Sequence, residues 1–227
     1  MSAVARYRGM IFDLDGTLVD SYAALAESIN HARRALGYAD LDATRIRSFV
    51  GDGVERLLCR AFDSRDVPEN ARSLFENHYD SICSESSRLL EHVESTLAQL
   101  ESHGIVMSVC TNKPTYFSQK ILEALGAGRH FTAVIGPDLA KARKPDPRHV
   151  LSALEPLGLP GGDVLFVGDM PVDVAAARNA GIDVAVVSTG SATIEELRDA
   201  GPDFFLESFS DLLGFARQLE RSRRRTV

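Results

Sequence analysis

Three short strings in this 227-residue sequence place carboxylates, a hydroxyl and an ammonium where they could hold a metal ion and meet an anionic substrate. The first, Asp13-Leu14-Asp15-Gly16-Thr17-Leu18, follows the apolar run Gly9-Met10-Ile11-Phe12. The second, Thr111-Asn112-Lys113, follows Ile105 to Cys110. The third is Gly168-Asp169, with Asp173 one helical turn on, after Val164-Leu165-Phe166-Val167. A single Asp after an apolar run is usually a turn former or a helix cap. The five fixed positions of D-x-D-G-T-L are another matter, since they arise by chance on the order of once in a few thousand chains of this length.

The elements that must position these residues follow from the hydrophobic pattern. Gly9 to Phe12, Val164 to Val167 and Val184 to Val187 are continuous apolar runs, as expected of strands buried on both faces. Helical intervals link Tyr22, Leu25, Ile29, Ala32 and Leu36, with Ser21 as candidate N-cap and Gly37 as the stop. They return at Val54, Leu57, Leu58, Ala61 and Phe62, entered through the loop Gly51-Asp52-Gly53, and again over Glu69 to Ile82. Beyond Ser87 helix and strand alternate: Val93 to His103, Ile105 to Cys110, Tyr116 to Leu125, Thr132 to Ile135, and Pro171 to Ala180 between the last two runs. The pattern predicts an α/β fold, a doubly wound parallel sheet over 1–19 and 88–227, with an inserted all-helical domain over 20–87.

In open parallel sheets ligands bind beyond the carboxyl ends of the strands, so Asp13, Asp15, Asp169 and Asp173 are expected to converge on one edge. Such crowding costs several kcal/mol unless a cation neutralises it. The donors are all oxygens and none of the six histidines ends a strand, so a hard divalent ion such as Mg²⁺ fits better than zinc. Thr111 and a lysine would then serve an anionic substrate, with Lys113, Lys141 and Lys144 as the candidates.

Composition narrows the partners. With 25 Lys plus Arg against 32 Asp plus Glu, the net charge of -7 gives nucleic acid and anionic membranes little to hold. Arg6 and Arg8 precede no apolar run, and no stretch approaches the roughly 20 apolar residues of a membrane span. Three cysteines without C-x-x-C spacing suggest neither a disulfide framework nor a zinc site, so a cytoplasmic protein is expected. Arg221, Arg223, Arg224 and Arg225 read as a solvated tail.

On these motifs the sequence resembles the haloacid dehalogenase superfamily of phosphotransferases along essentially its whole length. Asp13 to Leu18 match the D-x-D-G-T-[LV] signature, Thr111 the second motif, Lys144-Pro145 the third, and Gly168-Asp169 with Asp173 the fourth. The helical insert is similar to the family's small cap. Val50 to Glu55 together with Thr111-Asn112-Lys113 look like phosphoglycolate phosphatases. The resemblance implies a nucleophilic Asp13 that forms an aspartyl-phosphate and an Asp15 that serves as general acid and base. It also implies a metal held by Asp13, the backbone carbonyl of Asp15 and Asp169, with Asp173 behind them, and Thr111, Asn112 and Lys144 on the phosphoryl group. Gly51, Asp52 and Arg47 are its candidates for specificity, Arg47 for a carboxylate.

The substrate implied is a small phosphorylated metabolite, 2-phosphoglycolate first, with a sugar phosphate, a nucleotide or pyrophosphate as alternatives. Dehalogenation is disfavoured because Asp15 is present, and phosphonate chemistry because residues 21–90 contain no lysine for a Schiff base. A phospho-accepting switch without turnover is the rival from another class, and the helical insert argues against it. Two departures stand out: Met170-Pro171 where Ser or Thr is common after the last motif's Asp, and Glu91-His92 in place of Pro-Gly.

Overall fold

In the computed structural model, which describes residues 7–216, the first apolar run forms strand β1 (Gly9–Phe12), buried throughout. A tight turn leads to the two-residue strand β2 (Val19–Asp20). Four helices follow: α1 (Tyr22–Ala35), α2 (Ala43–Arg47), α3 (Val54–Ala61) and α4 (Ala71–Ile82). Strand β3 (Arg88–Leu89) pairs antiparallel with β2, so the chain leaves the helical segment beside the point where it entered.

Alternation then sets in with α5 (Val93–Ser102), β4 (Val106–Cys110), α6 (Thr115–Ala124) and β5 (Ala133–Ile135). It continues through α7 (Pro137–Ala140), α8 (Pro147–Leu154), β6 (Val164–Gly168), α9 (Pro171–Asn179), β7 (Asp183–Val186), α10 (Ile194–Ala200) and β8 (Phe204–Phe205). The six-stranded sheet has the order β5-β4-β1-β6-β7-β8 and is parallel throughout. Successive side chains of a strand face opposite layers. Met10 and Phe12 accordingly pack with Leu97 and Leu100 of α5 and Ile121 of α6, while Ile11 packs with Val150 of α8 and Val174 of α9. The first of these apolar clusters runs on without a break into α1, α3 and α4 through Leu14 and Leu18.

Several expectations need correction. Ser21 does not cap α1; its hydroxyl is given to Asp15 instead. The strands β2, β3 and β8 escape the hydrophobic pattern because two residues cannot display a period. His92 stands in the left-handed conformation at φ 64°, which favours glycine, and this accounts for the Pro-Gly common there. Among the described residues no helix is long and apolar enough to cross a membrane. The arginine-rich end lies outside the described residues.

Candidate active site

Strand register assembles the site. Phe12, the last residue of β1, is level with Val109 of β4 and Val167 of β6. The next steps of the chain therefore bring Asp13, Thr111 and Asp169 to one edge of three adjacent strands, where the connections depart to opposite sides of β1.

Each side chain has a physical reason for its pose. Asp173, in the first turn of α9, accepts the backbone N–H groups of Asp169 and Met170 on Oδ2 at 3.1 and 3.0 Å. Its Oδ1 accepts from the Lys144 ammonium at 2.7 Å, and the same ammonium reaches Asp13 Oδ1 at 2.7 Å. Burial pulls the Lys144 pKa down, but Asp13 and Asp173 outweigh it and hold the group charged, above the usual lysine range. Asn112 supports this lysine: its Oδ1 accepts the Lys144 N–H at 2.9 Å, and its Nδ2 donates to the Gly51 carbonyl at 3.0 Å. The Asn112 side chain is thus committed to backbone groups, Lys144 among them.

Asp15 is separately held. Its oxygens accept from Lys113 Nζ at 2.7 and 2.6 Å and from the Ser21 hydroxyl at 2.5 Å. Of the three candidate lysines, Lys144 pairs with Asp13, Lys113 pairs with Asp15, and Lys141 is exposed. Thr111 accepts the Lys113 N–H on its hydroxyl oxygen at 3.2 Å, which leaves the hydroxyl proton available to a ligand.

The carboxylates of Asp13, Asp169 and Asp173 offer one oxygen each within 4.8 Å of one another, all buried. The Asp15 side chain is not in this trio, so any share Asp15 takes in a metal falls to its carbonyl. Burial first, and then Asp173 and Asp15, raise the Asp13 carboxyl to about 6 against the pull of Lys144. Burial and the neighbouring Asp13 and Asp173 raise Asp169 well above the carboxylate range. Thr17 donates to Asp169 Oδ1 at 2.7 Å, yet Asp169 Oδ2 is buried without a hydrogen-bond partner among the described residues. Four carboxylates meet two ammonium groups here, a deficit of two charges, and the orphaned oxygen is a hard donor. Both features fit a divalent cation. Gly190 keeps the place open, since a Cβ there would lie 1.6 Å from Asp169 Oδ2.

The specificity candidates divide. Gly51 lines a cleft of about 580 Å³, its open mouth included, between the sheet edge and the helical insert. Asp52 faces away and pairs with Arg60 at 2.5 Å. Arg47 does not line the cleft; its guanidinium lies 4.1 Å from the Tyr22 ring centroid and donates to the Thr189 and Gly190 carbonyls at 2.9 Å. It ties the insert to the loop after β7. Met170 does the same from the core, with its methyl group against Gly51 and its sulfur accepting from Ser191. The loop of Thr189 to Ser191 was not singled out from the sequence. It follows a strand, so the strand-end rule that found the acids could have found it.

The chain is similar to known proteins along most of its length. A sequence model described as haloacid dehalogenase-like hydrolase matches residues 10–187. A phosphoglycolate phosphatase of Yersinia pseudotuberculosis is 36% identical over 212 residues, 91% of each chain, and one of Vibrio cholerae is 35% identical over 211 residues, 89% of this chain and 93% of that one. Among solved structures, a predicted phosphoglycolate phosphatase from Haemophilus somnus superposes with a TM-score of 0.83 at 31% identity, covering 91% of this chain and 96% of that one. By motif, topology and similarity along nearly its whole length, the chain belongs to the haloacid dehalogenase-like hydrolase family.

Proposed function

We propose that the protein hydrolyses a small phosphate monoester, 2-phosphoglycolate first, through an aspartyl-phosphate on Asp13, with residues 20–87 acting as a helical cap over the site. The two-charge deficit around the orphaned Asp169 oxygen carries this reading. The phosphoglycolate phosphatases to which the chain is similar support the substrate class.

Asp13, Asp169 and the carbonyl of Asp15 would hold Mg²⁺ through oxygen donors alone. When bound, the ion supplies the positive charge that lets a carboxylate approach a phosphate dianion. An Asp13 oxygen bonds to phosphorus as the ester P–O bond breaks, and the departing oxygen takes a proton from Asp15. Water then attacks the aspartyl-phosphate, gives a proton to Asp15 and restores Asp13 as phosphate leaves. The Lys144 ammonium and the Thr111 hydroxyl bind the equatorial oxygens and offset the charge that builds there. The test is phosphate release from a panel of phosphorylated metabolites: repeated turnover, lost on chelation and restored by Mg²⁺, is expected. A single stoichiometric labelling without turnover contradicts it.

Stability should report the same ion. The Asp13 pKa is raised on folding from 3.8 to about 6, so the unfolded chain releases its proton first as pH rises. Through this carboxyl the metal-free protein loses up to a few kcal/mol of stability between about pH 4 and 6, while buried His149, whose pKa is pushed down to about 4, works the other way over the same range; of the two, only the Asp13 share answers to Mg²⁺. Mg²⁺ is expected to raise the melting temperature clearly at pH 7.5 and hardly at pH 4.5. Equal shifts at both pH values contradict the assignment.

A further inference from the structure

The mechanism leaves two buried polar groups in the cleft without a role toward substrate. Lys113 spends two hydrogen bonds on Asp15, and an ammonium has three N–H donors, so one remains. Tyr79 of α4 is 1% exposed, lines the same cleft, and its ring centroid lies 5.1 Å from the Lys113 nitrogen. Its hydroxyl oxygen faces that ammonium, and among the described residues nothing accepts its O–H proton. A buried O–H without an acceptor costs about 1–3 kcal/mol, which an arriving acceptor removes. Burial also raises this phenol to about 12, so it stays protonated and able to donate.

The rest of the wall narrows what that acceptor is. Leu25, Val54, Leu57, Phe75 and Phe117 make it apolar. Among the described residues Lys113 is the one cation lining the cleft, and the remaining acid, Glu76, is paired with Arg72 at 2.8 Å. Because Lys113 rests on Asp15, the proton donor to the departing oxygen, a group reaching Lys113 belongs to the leaving half of the ester.

We propose that Lys113 and Tyr79 are the residues that recognise an anionic group on the leaving half of the substrate. This rests on the phosphatase reading above and assigns that site its specificity. That anionic group takes the third N–H of Lys113 and the Tyr79 hydroxyl.

The test compares kcat/KM for 2-phosphoglycolate and for ethyl phosphate with Mg²⁺, in the wild type and in Tyr79→Phe and Lys113→Gln. Any loss through Asp15 or through folding affects both esters and cancels in their ratio. The wild type should favour 2-phosphoglycolate, and each substitution should cut that preference about tenfold or more, chiefly through KM. Tyr79→Phe keeps the ring beneath Lys113, so it reads the hydroxyl alone. A wild type without preference, or a preference unchanged within about twofold in both variants, overturns the subsite while leaving the phosphatase reading intact. A wild type that hydrolyses no ester overturns both.

Discussion

Asp13→Asn is expected to lose at least about 10⁴-fold in kcat with every ester that the wild type accepts. The same variant should melt no lower than the wild type when divalent cation is absent. The two outcomes share one cause. A carboxamide matches the carboxylate in size and still offers an oxygen to Lys144, 2.7 Å from the native Oδ1, so packing is kept. It cannot attack phosphorus. Burial raises the Asp13 carboxyl to about 6, so at pH 7.5 its ionised form costs folding free energy, a cost the amide does not carry. Phosphate release and thermal melts on the same preparations check both halves. Wild-type turnover contradicts the assignment, and a melting temperature lower by more than about 10 °C makes the lost activity a folding defect.

Lys144→Met should damage both properties at once. The lysine is buried between Asp13 and Asp173, 2.7 Å from each. Removing one member of a buried ion pair typically costs about 3–5 kcal/mol, because the carboxylates remain desolvated and unpaired. For a chain of this size that corresponds to a fall in melting temperature of roughly 6–20 °C. The gap from wild type should narrow toward pH 4.5, where Asp13 takes up a proton and needs no partner. Turnover should fall at least about 10²-fold even at temperatures where the variant stays folded, since the phosphoryl oxygens lose a fixed positive charge. Melting curves at pH 4.5 and 7.5, with kinetics well below the transition, separate the effects. A gap that is the same at both pH values shows that uncompensated carboxylates are not the cause.

What the sequence carried and what it withheld follow from the range of the interactions. Continuous apolar runs identify β1 and β6 because strands buried on both faces have no polar side to show. The acids that end them become visible at the same stroke. Two-residue strands such as β2 and β8 carry no periodicity and appear only through their partners. The motif Lys144-Pro145 singles out one lysine, but the partner of each, Asp15 for Lys113 and the Asp13–Asp173 pair for Lys144, is fixed only by folding. Arg47 and Asp52 sit in a suggestive stretch, yet the β7 loop carbonyls and Arg60 claim them. Tyr79 reads as one more apolar position of an amphipathic helix. Only the packed structure shows its hydroxyl buried beside Lys113, its proton without an acceptor among the described residues.

Trapping the covalent state tests the central claim most directly. The wild-type protein is mixed with Mg²⁺ and a radiolabelled phosphate monoester that it turns over, quenched in acid within one turnover, and digested. The label is expected on the peptide containing Asp13, to vanish on longer incubation, and to be missing in Asp13→Asn. Label found only in free phosphate at every quench time, or on a peptide without Asp13, contradicts the account.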